Sequence, residues 1–101
     1  MAYEGGALDS TIAAAAGGDE ALYREIRGAF LASAERQLDL LRRSRCDGNW
    51  RIAALRLKGL ASSFHDETLL DLAEEAIDAA PGEPTVVRRI AGRLGDLAHL
   101  I

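Results

Sequence analysis

The chain has 101 residues, enough for one domain (1–101) around one modest core. At 49% hydrophobic, 28% charged and 5% aromatic it is too apolar to stay disordered, and a formal net charge of −4 argues against a nucleic-acid partner. One cysteine, Cys46, excludes an internal disulfide and a cysteine-rich zinc site, and no apolar run approaches the ~20 residues of a membrane span.

Residues 1–16 are apolar but lack a basic leader region, so no signal peptide is expected. The lone cysteine fits a reducing compartment, and the expectation is a cytoplasmic protein without metal or cofactor. Leu8, Ile12 and Ala15/Ala16 predict a short first helix that Gly17-Gly18 ends, and Asp19 is positioned to cap the next. Leu22, Ile26, Phe30, Ala34, Leu38 and Leu41 mark a stripe along a long helix over 19–45. Asp47-Gly48-Asn49 then breaks it and offers the following cap. Trp50, Ala54, Leu57, Ala61 and Phe64 step by four and three, the spacing of a packed helical seam. Asp66 can cap a helix carrying Leu69, Leu72, Ala76 and Ala80. Pro84, after the turn Ala80-Pro81-Gly82-Glu83, suits the first turn of a last helix striped by Val87, Ile90, Leu94, Leu97 and Ile101. No segment alternates with period two. The pattern predicts an all-α chain: an up-down antiparallel four-helix bundle with a short extra N-terminal helix packed on it.

Charge is uneven along this pattern. Residues 42–58 hold Arg42, Arg43, Arg45, Arg51, Arg56 and Lys58 against one acid, Asp47, whereas 66–83 hold seven acids and no base. Such a distribution either solvates two faces or guides an acidic protein partner.

The segment Ala53-Ala54-Leu55-Arg56-Leu57-Lys58-Gly59 is the most informative. A glycine inside a helix costs ~1 kcal/mol against alanine, and one reason to keep it is the close approach of another surface. Leu55, Lys58/Gly59 and Ser62 fall on one face, a step round from the core seam and at least partly exposed. The plain alternative is that Gly59 admits a neighbouring helix of the same fold and Leu55 lies at the core margin.

In this register the chain resembles the histidine phosphotransfer (HPt) domain of bacterial phosphorelays, whose helix carries His-x-Leu-Lys-Gly. Ala54, Leu57, Lys58, Gly59, Ala61, Ser62, Phe64, Leu69, Leu72 and Ala73 match without a gap, as do Gly18-Asp19-Glu20-Ala21-Leu22, Ile26 and Phe30 upstream. The resemblance is close over about 18–80 and looser elsewhere. It implies the four-helix fold with an extra N-terminal helix and a place in two-component signal transduction. The phosphorylated histidine of the family falls at Leu55, which has no nucleophile, and the family's Gly-Ala after the motif is His65-Asp66. The resemblance therefore implies a pseudo-phosphotransfer domain, a non-catalytic adaptor that docks a response-regulator receiver domain or a histidine kinase through Leu55, Arg56, Lys58, Gly59 and Ser62. Lys58 stands where phosphoryl charge would be neutralised. Burying Leu55 fully under a partner would contribute up to ~1.5–3 kcal/mol.

Two other readings stay open. A phosphoryl carrier could use a relocated histidine, His65 or His99, although His65 lies ten residues, about 15 Å, beyond Leu55 along the helix axis. A helical dimerisation module could bury Leu55 in a homodimer. Gly17-Gly18-Asp19-Glu20 also spells the core of the diguanylate cyclase signature, but without flanking strands it reads as a helix stop and a cap.

Overall fold

The computed structural model describes residues 6–99. They form five helices and, among the described residues, no strand: α1 (Ala7–Ala16), α2 (Glu20–Arg43), α3 (Asp47–Phe64), α4 (Glu67–Asp78) and α5 (Pro84–Ala98). The molecule measures 43 × 24 × 20 Å. The 24 residues of α2 alone give a rod about 36 Å long.

The helix boundaries follow from local chemistry. Gly17 ends α1 in the left-handed conformation (φ 61°), and its amide turns back to the Ala13 and Ala14 carbonyls. Asp19 caps α2, accepting the Leu22 amide at 3.1 Å. Asp66 caps α4 through the Leu69 amide at 3.4 Å. Glu83 precedes Pro84 and accepts the Thr85 amide at 2.8 Å, which holds its carboxyl below the ordinary value. The turn between α2 and α3 differs from expectation. α3 already begins at Asp47, its N-cap residue is Cys46, and no side chain caps it. Ser44, rather than the Asp47-Gly48-Asn49 segment, closes the end of α2: its hydroxyl donates to the Leu40 carbonyl at 2.8 Å.

α3 packs on α2 and α4, and α5 packs on α4 and α2, so each of these four helices touches two of the others; α1 lies against α2 and α3. All five helices contribute to one core, whose largest fully buried side chains include Trp50, Phe30, Leu8, Ile12, Leu41 and Leu57. The indole N–H of Trp50 donates to the Ala76 carbonyl at 2.7 Å, tying α3 to the end of α4.

Three expected core positions are displaced. Leu22 is 37% exposed. Each four-residue step overruns a helical turn by about 40°, so from Leu22 to Leu38 the apparent stripe rotates by about 160°. The buried face of α2 instead runs through Arg27, Phe30, Leu31, Ala34, Leu38 and Leu41. Ala80 is exposed and outside α4, because the residue before Pro81 is driven from the helical region. In α5 Val86, not Val87, is fully buried beside Ile90, Leu94 and Leu97; Ile101 lies outside the described residues.

Candidate docking face on the third helix

The seam of α3 places Trp50, Ala53, Ala54, Leu57 and Ala61 inward. At 100° per residue, Leu55, Gly59 and Ile52 then lie roughly opposite that seam, rather than one step round from it. Leu55 is 42% exposed, and Arg56, Gly59 and Ser62 are exposed with it. Lys58 stands at the edge towards α4, half-buried, with Nζ 3.5 Å from Oε2 of Glu74.

The surroundings of Gly59 remove one explanation of this mid-helix glycine, a neighbouring helix. A Cβ built there meets no atom within 4 Å. No helix of this fold comes close enough to need the glycine, and Leu55 is not at the core margin. The propensity cost is therefore paid on open surface, where nothing inside the described fold accounts for it.

The face is wider than the sequence pattern suggested. Ile52, one turn before Leu55 and Arg56, is 49% exposed, and Leu40 on α2 is 40% exposed. With Leu22 and Leu55 they make up the large exposed apolar side chains among the described residues. Leu40, Arg43, Ser44, Asn49, Ile52 and Arg56 line an open groove of about 460 Å³ between the end of α2 and the start of α3. Ile52 and Leu40 both fall off the core stripes, so the stripes do not point to them. The i, i+3, i+7 spacing of Ile52, Leu55 and Gly59 marks the second face of α3 in the sequence.

The charges sort themselves across this surface. Lys58 has Glu74 as a counter-ion, although with the two side chains 43% and 51% exposed such a pair contributes only ~0–1 kcal/mol and exchanges readily. Arg43 pairs with Asp39 at 2.8 Å one turn back. Arg56 makes no ion pair among the described residues. The unpaired cation of the face is thus Arg56, not Lys58. The face presents apolar contact, guanidinium donors, a bare stretch of backbone and one hydroxyl, Ser62.

The two histidines lie elsewhere. His65 is the C-cap of α3, in the left-handed conformation (φ 60°), and its Nδ1 shares a 3.1 Å hydrogen bond with the Thr11 hydroxyl. His99 follows α5, and its Nδ1 donates to the Gly95 carbonyl at 2.7 Å. Neither joins Leu55 on the α3 face. Among the described residues no three His, Cys, Asp or Glu side chains come together as metal ligands, and no helix is long and apolar enough to cross a membrane. Compared with known proteins, the chain matches no family model, no curated protein and no solved structure.

Proposed function

We propose that the chain is a pseudo-phosphotransfer adaptor: an HPt-like, up-down four-helix bundle of α2–α5 with α1 as the extra N-terminal helix. It binds a response-regulator receiver domain or a histidine kinase without carrying phosphate at the usual position. One observation carries the proposal. Gly59 is kept in mid-helix on a face where no part of the fold approaches it, beside a leucine that is 42% exposed. Gly28, Gly92 and Gly95 are equally open within their helices, so it is the exposed leucine beside Gly59 that marks this face, and the glycine leaves room there for a partner's backbone or side chains to settle onto α3. The pattern Leu57-Lys58-Gly59 and its matches across α2, α3 and α4 supply the kind of partner, and Leu55 at the phosphorylated position supplies the loss of chemistry, since a leucine side chain cannot accept a phosphoryl group.

The test mixes the wild-type chain and Leu55→His with phosphorylated receiver domains from the source organism and follows complex formation and label transfer together. Binding by wild type without label, with label appearing on Leu55→His, is the expected result. Label on wild type would move the chemistry to His65 or His99 and overturn the non-catalytic assignment. If neither variant binds or takes label, the resemblance extends to helix pattern alone.

A further inference from the structure

We infer that the α2–α3 groove takes an acidic amphipathic helix from a partner protein, its apolar side chains over Leu40 and Ile52 and its carboxylates on Arg43 and Arg56. The inference rests on the adaptor proposal only in requiring a partner: the groove is built around Ile52, at the α2–α3 end of the molecule, and Leu55 does not line it.

The lining has the two elements that recognise such a helix. Leu40 and Ile52, 40% and 49% exposed, face the groove from opposite walls. Arg43 and Arg56 stand beside them and no carboxylate lines the groove; Asp39 holds Arg43 from one turn back in an exposed pair that exchanges readily, and Arg56 has no counter-ion among the described residues. The other grooves are not built this way. Between α4 and α5, the lining carboxylates of Asp71 and Asp96 offset Arg89 and Arg93. At the junction of α3 with the end of α4, Asp47 and Asp78 offset Arg51. A field of one sign over an apolar floor selects an occupant of the opposite sign.

Among the described residues, neither a second copy of the groove nor the acidic side of α4 supplies that occupant. A two-fold contact through the groove would set Arg43 and Arg56 of one copy against those of the other. The acidic outer side of α4 carries Glu67, Asp71, Glu74, Glu75 and Asp78 but no exposed large apolar residue to seat on Leu40 and Ile52. An anionic lipid surface is disfavoured by the net charge of −4, and two lining arginines fall short of the four to eight basic residues such surfaces recruit.

The probe is a short stapled helix with leucines along one side and glutamates elsewhere, titrated into the whole protein while the methyl resonances of Leu40 and Ile52 are followed. Its lysine counterpart serves as control. The glutamate helix is expected to shift both methyl sets and the lysine helix neither. Arg43→Glu with Arg56→Glu should weaken binding about tenfold or more, as loss of two partly solvated charge pairs implies. Both arginines are exposed and Arg43→Glu gives up only an exposed pair with Asp39, so this variant should stay close to wild type in melting temperature; Ile52→Ala provides a second, charge-independent variant expected to weaken binding. The inference is overturned if the glutamate helix shifts neither methyl set, if it binds the doubly reversed variant as tightly as wild type, or if the same methyls respond instead to protein concentration or to anionic vesicles. Receiver binding without any probe binding would overturn the groove and leave the adaptor standing. Probe binding without any receiver binding would do the reverse.

Discussion

His65 is the one non-glycine residue among those described with a left-handed backbone, at the position after a helix where glycine is favoured. Its hydrogen bond to Thr11 is exposed and offsets little of that strain. His65→Gly should therefore raise stability by about 0.5–1 kcal/mol, and His65→Ala should not; a denaturant midpoint lower than wild type for the glycine variant would contradict this account. Tyr23 gives a second residue-level expectation. Burial raises its phenol pKa above 10.0, and the carboxylate of Asp9, which accepts its hydroxyl at 2.5 Å, raises it further. Below pH 10 the phenol is neutral in both folded and unfolded chains. Above it the unfolded chain releases the proton first, so stability falls as pH rises towards the folded value. Tyr23→Phe should remove that part of the alkaline loss, and unfolding curves for the two proteins above pH 10 should converge with rising pH.

At the scale of the elements, α3 offers a test in which stability and binding part company. Nothing lies within 4 Å of a Cβ at Gly59, so Gly59→Ala should stabilise the free protein by about 0.5–1 kcal/mol. The same methyl should weaken partner binding if α3 is the docking element; unchanged affinity would remove the reason offered for the glycine. The junction of α3, α4 and α5 depends on Asp66, whose buried carboxylate caps α4 and takes a bidentate grip from Arg93, Nη2 at 2.9 Å and Nε at 3.2 Å. Asp66→Asn keeps an acceptor for the cap but strands the guanidinium, and should cost about 2–4 kcal/mol in chemical denaturation. The cap at Asp66 was legible, because an aspartate before a helical run has a local job. Arg93 was not, because a pairing across 27 residues leaves no local period. Local periodicity likewise located five helices yet misplaced Leu22, since steps of four drift round a 3.6-residue helix while keeping an even appearance.

For the molecule as a whole, order and extent of the helices were readable from glycine, proline and capping residues, because each acts within a turn of its own position. The candidate face on α3 was partly readable. Leu55, Arg56, Gly59 and Ser62 are exposed as expected, whereas the contributions of Leu40 and of Glu74 required the neighbouring helices to be in place. Arg27 was hidden for the opposite reason: a charged residue at the middle of a buried face looks on paper like a solvated one. Its side chain is almost wholly buried. Its Nη2 donates to the Leu97 carbonyl near the end of α5, Nε lies 4.0 Å from Asp9 on α1, and Nη1 has no partner among the described residues. The same guanidinium thus clasps the first helix and the last. In native-state hydrogen exchange the amides of α1 and of the final turn of α5 should open as one unit, with one protection factor. Arg27→Met, which removes the unsatisfied donor along with both clasps, should leave global stability little changed or higher while those two sets of protection factors separate. Fraying of the first helix is then felt by the last through a single side chain.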